Sequence, residues 1–357
     1  MAHLHDRGSE PPQVLPSPGE HLTLPQICAD FARRSAVLSH RAAACGMTRR
    51  ELLASLAAGA SAALCGAGAR AAAAQPRPSS RVVLVTHPEV IIRDYRVNPP
   101  IVRQMLDRAL VELTGKRTES EAWAQIGRQD DCVAVKHNSI GAPTLHSHTE
   151  INETVATRLA ADAKVDPKRI HVVDRNLPPP HNELSEPFTL RSSGLKTRLR
   201  RLYTDTATAI VNVSVLKSHF GTGISAAMKN HLGSVNNPAA YHGWEPDRMP
   251  KSLPELSALD PLRTKTRLVI IDCLRPLLAG GPADNPQYRW DARSLIVATD
   301  PVAATAVGLR MLEKQRAAVR GKPWPLTAAR QMVAWGQVIG LGNADPDRID
   351  LVQVDMA

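Results

Sequence analysis

Between positions 211 and 233 the chain reads Val-Asn-Val-Ser-Val-Leu-Lys-Ser-His-Phe-Gly-Thr-Gly-Ile-Ser-Ala-Ala-Met-Lys-Asn-His-Leu-Gly, and most of the residues able to do chemistry are gathered there. An apolar, β-branched run delivers Lys217 and His219 two positions apart, so an extended path puts both side chains on one face. Gly221, Thr222 and Gly223 then turn the chain. The pattern predicts a helix after them, with free first amides to receive an anion and with Thr222 or Ser225 capping it or touching the anion. Lys229 and Asn230 fall near the end of that helix and reach the same pocket if the helix is short. A plainer reading is a tight turn with solvated lysines. The loop carries neither the Walker pattern nor the dinucleotide fingerprint.

Other polar groups follow apolar runs elsewhere: Lys136, His137 and Asn138; Asp174, Arg175 and Asn176; Asp272; and Thr299, Asp300 and Pro301. A lysine buried beside polar partners can lose its proton near neutrality and serve as a base or Schiff-base former. Lys217, His219 and Lys229 are therefore assigned to the reactive set. Lys136, Asn138, Gly221, Thr222, Gly223, Asn230, Asp272 and Asp300 are assigned to ligand binding. Simple neutralisation of a carboxylate or phosphate is the preferred role for the lysines, and catalysis is left open. Asp300 before Pro301 also reads as a helix cap. His219, His231 and His242, with Asp272 or Asp300, could supply a nitrogen and oxygen set for a divalent metal, and His146 with His148 forms a second pair. Without a helical His-x-x-x-His pair, no metal is assigned. There is no Gly-x-Ser-x-Gly elbow, and no cofactor is named by these motifs.

The elements that must position these groups can be read from periodicity. Apolar runs at 82–86, 132–136, 170–174, 209–213, 268–272, 295–298 and 349–354 predict strands. Amphipathic stretches at 101–113, 151–163, 224–232, 302–313 and 326–338 predict helices. Alternation of the two predicts an α/β fold, a mostly parallel or mixed sheet covered by helices on both faces. Ligands then bind beyond the carboxyl ends of the strands, where the polar groups above fall. With no internal repeat or long linker, residues 81–357 are expected to form a single domain.

The Lys-Ser-His, Gly-Thr-Gly and Met-Lys-Asn-His-Leu-Gly elements resemble the family called domain of unknown function 362. The resemblance covers roughly positions 130–308. It extends to Lys136-His137-Asn138, where the family usually has Lys-x-Asn after an apolar strand, to Asp272 followed by Gly280-Gly281-Pro282, and to Thr299-Asp300-Pro301-Val302-Ala303. It implies kinship and fold more than a reaction, since the family carries no settled activity. Some relatives have ferredoxin-type cysteine motifs, which are missing here, and this chain has Ala304-Thr305 where an acidic residue is frequent.

Composition narrows the remaining classes. The 357 residues are 43% hydrophobic but only 3% aromatic, so the core rests on aliphatic packing and base-stacking platforms are not expected. The formal charge is +10, and residues 75–357 keep about +8 of it, which suits anionic small molecules or acidic surfaces. The charges are dispersed and no recognition motif accompanies them, so no nucleic acid is expected as a partner. Cys132 and Cys273, the two cysteines after residue 74, could pair in an oxidising compartment or stay as buried thiols.

Residues 47–74 read as a twin-arginine signal peptide. Arg49 and Arg50 precede an Ala/Leu-rich run at 52–64 that is too short for a stable span, Arg70 follows it, and several Ala-x-Ala points end near Ala74. The alternative is an ordinary amphipathic helix or tail. Residues 1–46, Pro-rich and aperiodic, are expected to be disordered or a mis-assigned start, with translation beginning at Met47. The expected setting is periplasmic. The twin-arginine translocase is the partner during export, an anionic small molecule the partner afterwards, and the mature form should have no stable membrane span. The functional expectations are an anion-binding protein or enzyme with a Lys/His/Asn pocket, a metal-dependent or redox accessory protein, or a non-catalytic solute-binding or scaffold protein.

Overall fold

Strand β1 (Ser80–Thr86) opens the fold, followed by helices α1 (Pro99–Thr114) and α2 (Glu119–Trp123), strand β2 (Val133–Lys136), helix α3 (Thr149–Ala161) and strand β3 (Ile170–Val173). A small hairpin, β4 (Phe188–Thr189) with β5 (Lys196–Thr197), precedes the long strand β6 (Ala209–His219) and its short partner β7 (Gly223–Ser225). Then come α4 (Ala227–Asn230), α5 (Arg248–Ser257), α6 (Asp260–Lys265), β8 (Thr266–Leu277), β9 (Ser294–Ala298), α7 (Pro301–Arg320), α8 (Thr327–Val338) and β10 (Ile349–Asp355). The computed structural model of the chain describes residues 79–242 and 248–357. The signal peptide expected at 47–74 and the segment 1–46 lie outside the described residues. Those described belong to one unit, Pro76–Ala357.

Eight strands form a mixed sheet in the order β10-β1-β9-β8-β6-β2-β3, with β7 added to the end of β6. The β1–β10, β2–β3, β2–β6 and β6–β8 pairs are parallel, while β9 runs against both β1 and β8. Alternate side chains along each strand feed two cores, as the twofold period of a strand requires. Val83, Val85, Val133, Val135, Leu268 and Ile270 pack with α1, α2 and α3 on one face. Val82, Ala134, Val269, Ile271 and Ile296 pack with α4, α5, α7 and α8 on the other. Each fully buried Val or Leu is worth about 1.5–3 kcal/mol, so neither face is left uncovered. Among the described residues no helix is long and apolar enough to cross a membrane.

The expected α/β architecture is the one observed, and local departures have local causes. Stretch 224–232, predicted as one helix, is divided into β7, the single turn α4 and a 3-10 turn at His231–Ser234. Gly223, at φ 72°, lets the chain reverse after His219 and pair back along β6, with Lys217 opposite Ser225. A side chain at Gly223 would also meet Ala329 of α8, with Cβ atoms 2.9 Å apart. Helix α5 was not among the predicted helices, and it carries two prolines, Pro250 and Pro254. Pro250 falls in its first turn, and the helix buries Met249, Leu253 and Leu256. Cys132 and Cys273 are both free and buried, and β6 lies between β2 and β8 in the sheet.

Candidate functional site

Beyond the carboxyl ends of the parallel strands β2, β3 and β6 lies a cleft of about 350 Å³. Asn138 and Ile140 enter it after β2, Asp174 and Arg175 after β3, and Lys217 and His219 from the last three residues of β6. The short helix α4 supplies Lys229 and Asn230 from the other side. Five groups assigned from sequence, Lys217, His219, Lys229, Asn138 and Asn230, thus line one cavity. Its walls are otherwise largely apolar, with Val215, Ala226 and Leu232 among them, while Phe220 is 79% exposed and stacks on the His219 ring at 4.7 Å.

Beneath the cleft, Lys136 is wholly buried and donates from Nζ to Asp174 Oδ1 at 2.7 Å, to the His137 carbonyl at 2.5 Å and to Asn230 Oδ1 at 3.2 Å. Burial alone would raise the Asp174 carboxyl. Lys136, together with the Ser139 hydroxyl and amide, more than reverses this and holds it at about 2. Asn230 is a fastener between layers, donating from Nδ2 to Asn212 Oδ1 at 2.7 Å and to the Lys136 carbonyl at 3.0 Å. Gly233 permits this closeness: a Cβ there would stand 2.6 Å from Asp174 Oδ1 and 2.9 Å from Lys136 Nζ. The negative charge of Asp174 is therefore already matched before any ligand arrives.

The three groups of the reactive set differ sharply in their partners. Lys217, 1% exposed, donates to Ile140 O at 2.6 Å, Asn138 Oδ1 at 3.2 Å and Leu145 O at 3.4 Å, so the loop between β2 and α3 takes up its ammonium hydrogens. Burial lowers it to about 8, partly opposed by Asp174 and Asp284. The Nδ1 of His219 accepts the amides of Gly221 at 3.1 Å and Thr222 at 3.4 Å, which fixes a neutral ring with its proton on Nε2. Burial, and then the nearby Lys229, push His219 down to about 2. Lys229 has no hydrogen-bond or carboxylate partner among the described residues. Burial, then the like charges of Lys217 and Lys136, bring it to about 8.

The remaining assigned residues stand elsewhere. Gly221, Thr222 and Gly223 form the β6–β7 turn rather than a helix start. The amides of Gly221 and Thr222 point onto His219, and Thr222 Oγ1 donates to Ile224 O at 2.8 Å, so the expected free amides are not offered to an anion. Asp272 does not end its strand, because β8 runs on to Leu277. It accepts the His148 amide at 2.9 Å and sits 2.6 Å from His148 Nδ1, securing the start of α3 away from the cleft. Burial would raise Asp272, but His148 and these hydrogen bonds lower it overall. Asp300 caps α7 by accepting Val302 N at 2.8 Å and Ala303 N at 3.0 Å. With His231 it faces a separate hollow of about 240 Å³. The histidines and aspartates weighed for a metal are thus divided among three places, the cleft (His219, His242), the hollow (His231, Asp300) and the Asp272–His148 contact, and among the described residues no group of three or more His, Cys, Asp or Glu could hold one.

Asp174 and Arg175 belong to the cleft although they were singled out in the sequence only by their position after β3. No signal marked Phe220 as a residue of its mouth. The family model described as domain of unknown function (DUF362) matches residues 202–310. That span holds β6, the turn, α4 and β8, but begins after Lys136 and Asn138. No curated protein and no solved structure matches the chain.

Proposed function

We propose that the protein binds a small organic anion in the cleft between α4 and the carboxyl ends of β2, β3 and β6. The observation that carries the reading is the ammonium of Lys229, which has no partner among the described residues and is set among apolar walls beside Lys217, with the one carboxylate on the described wall, Asp174, already matched by Lys136. A desolvated cation without a counter-ion is a standing free-energy cost that an anionic ligand relieves. The cavity is at the small end of ligand pockets, which suits a compact carboxylate or phosphate ester with some apolar surface. Lys217 contributes field, while Lys229 has hydrogens to donate and His219 keeps Nε2–H.

The test is calorimetric titration of the purified chain with inorganic phosphate, malonate and succinate. Binding of at least one is expected, weakened about 10–100-fold in Lys229→Met, the loss of one charge-assisted hydrogen bond. Equal affinity in wild type and variant removes the proposal. We also propose export to the periplasm by the twin-arginine route, supported by Arg49-Arg50, the apolar run and Arg70. Replacing both Arg49 and Arg50 with Lys should leave the precursor in the cytoplasmic fraction, and undiminished export of that variant rejects this address.

A further inference from the structure

We infer that Lys229 is an imine-forming nucleophile, and that the cleft takes a small carbonyl-bearing anion such as a 2-oxo acid or an aldehyde carboxylate. This rests on the anion-binding reading and adds a covalent step to it. Three lysines meet in or beneath the cleft, Lys136 and Lys217 buried and Lys229 partly accessible, and their partners separate their roles. Lys136 is tied to Asp174, and the ammonium hydrogens of Lys217 are spread over three oxygens, so the nitrogen of each is engaged by the wall. Lys229 alone has no acceptor among the described residues, so nothing in the wall favours its protonated form over the free amine. Its position beside other cations in a poorly hydrated wall is the setting that activates a lysine for attack on a carbonyl, and its titration near 8 agrees with this.

The same wall supplies what the reaction needs besides the amine. The positive field of Lys217 and Arg175 attracts the carboxylate of the incoming molecule. The neutral His219 ring keeps a hydrogen-bond donor for the carbonyl oxygen, because Nδ1 is occupied by the turn amides. In the step itself the Nζ lone pair attacks the carbonyl carbon, a C–N bond forms, and the oxygen takes a proton to give a carbinolamine. The attacking nitrogen supplies that proton; the resulting hydroxyl takes a second one from solvent and leaves as water, and the nitrogen lone pair closes C=N as the protonated imine. One water is released and no electrons change hands, so no oxidant or reductant is required. A protonated imine then restores the positive charge at the same atom.

The experiment treats the full chain at neutral pH with glyoxylate or pyruvate and cyanoborohydride, followed by peptide mass mapping. In parallel, malonate binding is measured on the same preparation. Labelling concentrated at Lys229, at least about tenfold above surface lysines, suppressed by malonate and lost in both Lys229→Arg and Lys229→Met, is the expected result. Malonate binding without Lys229 labelling, or labelling spread evenly over exposed lysines, overturns the imine step and leaves the anion site standing. Absence of both malonate binding and labelling overturns the two together.

Discussion

Replacing Lys229 with methionine should make the protein more stable, the reverse of what removing a well-packed structural lysine does. The methionine keeps most of the apolar stem and deletes the charge. In the fold the amine titrates near 8 instead of 10.5. At about 1.4 kcal/mol for each tenfold change in proton affinity, that displacement is worth about 3 kcal/mol for a fully sealed group. The side chain keeps partial access to the cleft, so about 1–2 kcal/mol is the expected gain, or about 2–5 °C in Tm. The sign is set by the depressed folded value: wild type binds the proton less tightly than its unfolded chain does. Stability is therefore lost as pH falls from 10.5 through 8. The advantage of Lys229→Met is full at pH 6–7 and vanishes toward pH 10.5. Lys217, Lys136, His219 and His242 are the titratable neighbours coupled to this amine, and Lys217 shares the same window. Urea unfolding of wild type and variant at pH 6.5 and pH 10 separates the two. A variant less stable than wild type at pH 6.5, or a gain of equal size at both pH values, refutes the picture of an uncompensated cation.

Asp174→Asn strands Lys136 without a counter-charge and should cost about 3–5 kcal/mol at pH 7, with most of the loss recovered in the double variant Lys136→Met/Asp174→Asn. Because the Asp174 carboxyl sits near 2 in the fold, wild type holds this contribution above pH 3.8 and loses it toward pH 2, a trend that acid titration of the unfolding midpoint should show and the variant should lack. Asp300→Ala removes a cap and the Oδ2 that accepts Asn343 N at 2.8 Å and Ser80 Oγ at 2.6 Å; about 2–4 kcal/mol of stability should go while anion affinity measured by calorimetry stays as in wild type.

The sheet was legible because its strands are short apolar runs bounded by polar residues, and such runs need no knowledge of distant partners. What periodicity could not reveal is how far a strand continues through polar residues. Strand β6 runs on through Ser214, Lys217 and Ser218 because these groups find partners: Ser214 Oγ donates to Ile270 O, Gly281 N donates to Ser218 Oγ, and the β2–α3 loop receives Lys217. Asp272 was placed at an edge for the same reason: the sequence shows where Ile270 and Ile271 stop, and not that Cys273, Leu274 and Leu277 are buried beyond it. The gathering of Lys217, His219 and Lys229 followed from spacing plus a reversal of the chain. The reversal is a hairpin at Gly223 rather than a helix start, a difference decided by contact with α8 more than 100 positions away in the chain. Asp174 was marked only by its position after an apolar run, since its meaning comes from Lys136 across the β2–β3 pair.

The fork made by Asp300 also fixes where handles can be joined to the protein. Its Oδ2 takes Ser80 Oγ at 2.6 Å and the Asn343 amide at 2.8 Å, binding the outset of β1 and the approach to β10 to the same carboxylate. Strand β1 runs parallel to β10 and, through the doubly antiparallel β9, in the same direction as β8 and β6. Ser80 therefore emerges at the pole opposite the mouth lined by Lys229. Asp355 surfaces at the near pole, but four strand spacings from β6, about 19 Å across the sheet. Attachment ahead of Ser80 to a sensor chip or resin would therefore leave the mouth of the cleft facing outward into the flow.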